Sequence, residues 1–253
     1  LSQQRRGSSS KNHSFVSKIG GTAVLNPVDK VDFFFDPMCP WAYQTSLWIR
    51  EVRRLTGLEV NWRFFSLEEV NRPEGKPHPW ERPLAYGWSP LRVAARLRRR
   101  DMALCDAWYA ACGKALHTDG RKPHDPAVAK ELLESIGASA DDWDLALADD
   151  STHDDVKADH FYVINELAGF GVPIVLFPAE GSRSEKAVFG PVVVPAPMGD
   201  QALALWDLTV AYTRVDGLYE IKTPKTPADL EFIGKAFTPY LQARDWQSIQ
   251  NPA

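Results

Sequence analysis

The sequence predicts an α/β fold interrupted by an all-helical insertion, and three observations carry that prediction. A short apolar run, VDFFF at 31–35, is followed at once by a cysteine and then by a segment of helical periodicity. An alternating run at 58–65 completes a β-α-β unit. Roughly ninety residues of helix-forming sequence, punctuated by Gly, Pro and Asp, then intervene before strand-like runs resume at 174.

The first strand is bounded by Lys30 and by Asp36-Pro37, which suits a buried central strand. Pro40 fits the first turn of the next helix, where its missing N–H costs nothing; Leu47, Trp48, Val52 and Leu55 keep helical spacing until Gly57 supplies a stop. In 58–65, Val60, Trp62 and Phe64 share one side and Asn61, Arg63 and Phe65 the other. A right-handed crossover between parallel strands places the helix N-terminus, and so Cys39, at the C-terminal end of the first strand, where open α/β sheets bind ligands.

The stretch 71–90, rich in Pro and Trp, reads as an irregular functional loop. Helices are expected over 91–100, 102–116, 126–136, 143–148 and 156–168. Strands follow at 174–177 and 187–194, joined as a hairpin by AEGSRSE, and a last core helix starts near Asp200 as its N-cap, carrying Leu203, Trp206, Val210 and Tyr212. Beyond Gly217, Thr226-Pro227 with Asp229 marks a capped helix in a surface extension. The expected division is a mobile tail over 1–27, an α/β domain from 28–70 and 166–217, a loop and helical insertion over 71–165, and an extension over 218–253.

With 29 Lys and Arg against 33 Asp and Glu, the net charge of -4 offers no field for nucleic acid or anionic lipid, so neither is expected as a partner. No run approaches a bilayer span, and the polar N-terminus lacks the apolar core of a signal peptide. Three cysteines are too sparse for an oxidised framework, which points to a reducing, cytoplasmic setting. Cys105 and Cys112 lie about 10 Å apart along one helix and read as core residues. No His or Cys pair has metal-ligand spacing, so no metal is expected. Five arginines between 92 and 100 face eight aspartates between 141 and 159, an internal charge balance.

A Cys directly after a strand, the same Cys at a helix start, and a distant Val172-Pro173 before a strand of Ile, Val and Leu together describe a thioredoxin-type site. The helix N-terminus favours thiolate over thiol. A cis bond at Val172-Pro173 exposes the backbone of Val172 to an extended thiol substrate.

The runs DPMCPWAYQTSLWIREV, GVPIV, AVFGP and LWDLTV resemble the DsbA-like oxidoreductases of the mycothiol-dependent nitroreductase family over roughly residues 31–222. The resemblance implies a thioredoxin fold with a helical insertion, a Cys-Pro-Trp-Cys motif and reducing equivalents from mycothiol. It makes Cys39 the attacking cysteine within Cys39, Pro40 and Trp41, with Pro173 and Val172 as the cis-proline element. Asn71, Trp88 and His117 match family positions. Trp80 and Trp88 also offer apolar surface to a flat substrate, with packing onto the insertion as the alternative.

Two positions depart from that pattern: Ala42 replaces the second cysteine and Val172 the Thr before the cis proline. No neighbouring thiol can resolve a mixed disulfide on Cys39. The expectation is a thiol oxidoreductase acting on a small molecule or disulfide through one cysteine. A low-molecular-weight thiol, mycothiol or glutathione-like, is the co-substrate, and no cofactor is tightly bound. The alternatives are a thiol-dependent transferase or isomerase, or a binding protein that has lost turnover.

Overall fold

The computed structural model describes residues 28–181 and 184–244; the expected tail over 1–27 and the end of the extension lie outside them. A four-stranded sheet runs in the order β2-β1-β3-β4, from β1 (Lys30–Phe35), β2 (Glu59–Phe64), β3 (Ile174–Phe177) and β4 (Lys186–Phe189). β1 and β2 pair in parallel, with Phe33 opposite Trp62. β3 pairs antiparallel with β1 and with β4. The helix α1 (Pro40–Thr56) makes the crossover, capped by Cys39 at its start and by left-handed Gly57 at its end. The thioredoxin-like fold and its helical insertion are therefore those expected.

The insertion holds α2 (Leu67–Val70), α3 (Trp88–Arg100), α4 (Met102–His117), α5 (Pro126–Ser135), α6 (Asp142–Ala148) and α7 (Ser151–Asn165). After β4 come α8 (Asp200–Thr213), α9 (Pro227–Ala236) and α10 (Thr238–Ala243). Several boundaries differ from expectation for local reasons. The loop 71–90 is shorter, because α3 already begins at Trp88 and a 3-10 turn forms at Pro79–Glu81. The fourth strand ends at Phe189 rather than 194, since Pro191 and Pro195 have no N–H to give a ladder. α7 starts earlier, where the Asp149 carboxylate accepts from Ser151 N–H (3.0 Å) and hydroxyl (2.6 Å). Asp200 is the first residue of α8, and Gly199 occupies the cap. Thr226 and Asp229 form the expected capping box of α9, whereas α10 was not anticipated.

Strand alternation sorts β1 between two cores. Val31, Phe33 and Phe35 join Trp62 and Phe64 of β2, Trp48 and Val52 of α1, and Leu91, Trp108 and Tyr109 of the insertion. Phe34 points the other way, into a cluster with Phe65, Ile174, Cys39 and Ala42. The insertion thus shares one core with the sheet, and excising 71–165 would bare Phe35, Trp62 and Phe64 to water. Each of those large side chains contributes about 1.5–3 kcal/mol by its burial.

Ion pairs reinforce this joint. Asp159 on α7 takes Arg63 of β2 (2.8 Å), Arg98 of α3 and the N–H of Phe64 (3.1 Å). Arg96 and Arg100 meet Asp142, and Arg99 meets Asp149 and Asp155. The arginine run is spent on the acidic stretch, as its composition suggested. Among the described residues, no helix is long and apolar enough to cross a membrane.

Candidate active site

The turn carrying Cys39 is built by Asp36. Its buried carboxylate accepts the N–H of Met38 (2.8 Å) and, through the other oxygen, the N–H of Leu67 (2.7 Å). Its carbonyl accepts the N–H of Cys39 (3.0 Å). One residue thus closes the turn and ties it to α2. Burial pushes the Asp36 carboxyl up to about 7, outweighing the two N–H donors that act the other way. Across the turn, a Cβ on Gly87 would stand 3.3 Å from the Asp36 carboxylate, so this glycine admits a close approach.

Cys39 is the N-cap of α1: its Sγ accepts the N–H of Ala42 (3.4 Å), and its thiol donates to the carbonyl of Val172 (3.5 Å). The Val172-Pro173 bond is cis. Only 4% of Cys39 is exposed, and burial pushes its thiol up to about 12; the Ala42 N–H pulls down and the Asp36 charge adds to the rise. This corrects the expected lowering at a helix N-terminus. Desolvation wins because the sulfur sits in an apolar cluster with Ala42, Phe65, Val172 and Ile174. In this closed arrangement the group is a thiol.

His117 supports the turn from behind. Its Nε2 lies 2.9 Å from the Pro37 carbonyl, and its ring stacks on Tyr43 at 5.0 Å. Burial lowers its pKa to about 4, so the ring is neutral and donates through Nε2. Tyr43 also reaches the Thr118 hydroxyl (3.2 Å), and its ring lies where a Cβ on Gly113 would stand, 2.4 Å from its Cδ2. Pro40 opens α1, and Trp41, half-buried, meets Phe237 edge-on at 4.8 Å between ring centroids.

In this chain a cysteine caps a helix against the carbonyl before a cis proline. Residues 38–223 match the family model Rv2466c-like, described as mycothiol-dependent nitroreductase Rv2466c. The chain belongs to the Rv2466c-like family. It is 52% identical over 219 residues to the uncharacterized protein Rv2286c of Mycobacterium tuberculosis (strain ATCC 25618 / H37Rv), covering 87% of this chain and 92% of that protein. Two solved structures share the fold. The cytosolic disulfide reductase DsbM from Pseudomonas aeruginosa has a TM-score of 0.52 at 16% identity, covering 72% of this chain and 98% of that one. The probable DsbA oxidoreductase SCO1869 from Streptomyces coelicolor has a TM-score of 0.52 at 20% identity, covering 78% and 96%.

In this Rv2466c-like chain, Cys39, Pro40, Trp41, Val172, Pro173 and His117 come together, while three other expected residues stand apart. Asn71 is exposed at the end of α2, its amide donating to the Leu67 carbonyl (2.8 Å). Trp88 is 1% exposed and donates to His153 (2.8 Å). Trp80 stacks on His78 at 4.3 Å, with Lys157 over its ring at 4.7 Å. Both tryptophans thus pack on α7, the alternative weighed from sequence.

The reading from sequence missed Asp36, Glu68, Phe237 and Tyr240. Glu68 is buried and accepts the N–H groups of Tyr86 (3.2 Å), Gly87 (2.8 Å) and Trp88 (3.1 Å), so it caps α3 in place of the side chain that Gly87 lacks. The Asp-Pro pair before Cys39 signalled a turn, but nothing local marked Glu68 or the two tail aromatics.

Proposed function

We propose that this chain carries out thiol–disulfide exchange through Cys39 alone, with a low-molecular-weight thiol of the mycothiol type as second substrate. The observation that carries the reading is the placing of the Cys39 sulfur at the α1 N-cap, 3.5 Å from the Val172 carbonyl, with Ala42 in the position of a resolving cysteine. Family membership supports the thiol dependence. The Cys39 thiolate attacks one sulfur of a disulfide, forming a mixed disulfide and releasing the other sulfur as thiolate. A second small thiol, as thiolate, then attacks the mixed disulfide, leaves as the new disulfide and returns Cys39 as thiolate.

Each residue has a part in this reading. The α1 N-terminus stabilises the Cys39 thiolate once solvent or substrate relieves its burial, through the Ala42 N–H. Val172 presents backbone to the incoming sulfur. Pro40 starts the helix that carries the N–H groups, and Trp41 walls the approach. Asp36 and His117 hold the turn and touch no reacting atom, so they are positioning residues. Three sparse cysteines and this chemistry fit the reducing cytoplasm.

Intact-mass measurement after exposure to oxidised mycothiol or glutathione tests the proposal. The expected result is one adduct, absent in Cys39→Ser and released only by added thiol. A folded protein that takes up no adduct at Cys39 refutes it.

A further inference from the structure

The last described part of the chain is attached unevenly. Residues 219–226 are all exposed and form neither helix nor strand, and α9 buries none of its residues. Burial returns only at Phe237, Tyr240 and Ala243. Both helices lie beyond residue 223, where the family match ends.

What these residues cover is the rim of the Cys39 site. Phe237 stands at 84° to the Trp41 ring. Tyr240 packs with Met38, Tyr86 and Leu116, and its ring lies 5.2 Å from His117. Met38 and Trp41 flank Cys39 in sequence on either side, so α10 and the residue before it hold the chain on both sides of the cysteine. Cys39 itself, packed among Ala42, Phe65, Val172 and Ile174 on its inner side, is only 4% exposed.

Exchange requires an incoming sulfur to make contact with Cys39, which this arrangement prevents. Something has to move, and elements with few buried contacts and an exposed tether open first. We propose that α9 and α10 form a cover over Cys39, latched by Phe237 and Tyr240 and tethered by 219–226, which lifts before a thiol or disulfide reaches the sulfur. The two aromatic side chains thereby determine what gains access. The functional meaning of the cover rests on the reading of Cys39 as the working thiol.

The test is the rate at which iodoacetamide alkylates Cys39 in the full chain, followed by peptide mass. One variant, Phe237→Ala with Tyr240→Ala, releases the latch. Another, Gly120→Cys with Pro239→Cys, locks it: a Cβ on Gly120 would lie 4.0 Å from the Pro239 Cβ, within disulfide range. Gly120 has φ 66°, so a Cys there strains the backbone, but equally in the oxidised and reduced forms that are compared.

The expected result is alkylation at least about tenfold faster in the alanine variant and at least about tenfold slower in the oxidised lock than in its reduced form. Should the alanine variant fail to fold, the lock decides alone. Equal rates, within twofold, in the oxidised and reduced lock overturn the cover. Alkylation needs no turnover, so a rate that follows the cover in a chain without exchange activity refutes the proposed function and supports the cover. Intact exchange with equal lock rates does the reverse.

Discussion

Acid destabilises this protein through two buried histidines, and the size of the effect follows from their surroundings. His117 and His160 are 6% and 0% exposed, and burial holds both near a pKa of about 4 rather than the ordinary 6.5. Between pH 6.5 and 4.5 the unfolded chain protonates both rings while the folded chain leaves them neutral. The unfolded state therefore binds more protons, and stability falls as pH falls. At up to about 1.4 kcal/mol per pH unit, with the unfolded rings half protonated at pH 6.5, each ring accounts for a loss of about 2 kcal/mol over that window.

Asp36 acts in the opposite direction. Its carboxyl, raised to about 7, already holds a proton in the folded state across this window, whereas the unfolded aspartate, at 3.8, does not. That returns about 2 kcal/mol as pH falls from 6.5 to 4.5, leaving a net loss of about 2 kcal/mol. Asp36→Asn removes the compensation, and the loss becomes about 4 kcal/mol. The pKa of His153 is also lowered, mainly by burial, and adds a smaller loss of the same sign. Asp142, Asp149 and Asp229, all lowered, lose their stabilisation only as pH falls below the unfolded aspartate range, outside the window. Urea unfolding followed by tryptophan fluorescence at pH 6.5, 5.5 and 4.5 measures this. A stability constant within about 1 kcal/mol across the window, or an Asp36→Asn slope equal to the parent's, would refute the reasoning.

Three further outcomes are expected. Asp159→Ala leaves Arg63, Arg98 and the Phe64 N–H without their shared carboxylate and costs about 3–5 kcal/mol, read as a lower urea midpoint; a shift below about 1 kcal/mol would mean that the network does not join insertion to sheet. Gly113→Ala drives a methyl into the Tyr43 ring and destabilises by about 1–3 kcal/mol, whereas Ala111→Gly, half-buried on the same helix, costs only about 1 kcal/mol; equal losses would count against the Tyr43 contact. Ala42→Cys, three residues on from Cys39 in the first turn of α1, forms an intramolecular disulfide on mild oxidation, read by thiol count and mass; two thiols that stay free under oxidant would count against the site geometry.

The sequence by itself determined the local frame. VDFFF with its flanking Asp-Pro, the Pro40 start and Gly57 stop, and the alternation of 58–65 are signals that short-range sterics and burial dictate. They placed Cys39 at a strand end and a helix start, and the bond before Pro173 is cis as expected. The pairing of the arginine run with the acidic stretch was legible too, because opposite charge blocks in one chain find each other.

Tertiary structure alone decided the environment of the sulfur. Helix-terminus reasoning favours thiolate, yet enclosure by Phe65, Val172 and Ile174, residues distant in sequence, raises the thiol to about 12. Trp80 and Trp88, aromatic residues in a Pro-rich loop, went to α7 rather than to the site, a choice made by Lys157, His153 and Phe161 at the far end of the insertion. Glu68 caps a helix 20 residues on, and Phe237 meets a tryptophan nearly two hundred residues away. A sequence states local preference directly, but desolvation depends on which distant surfaces close over a group, and only the folded chain brings those surfaces together.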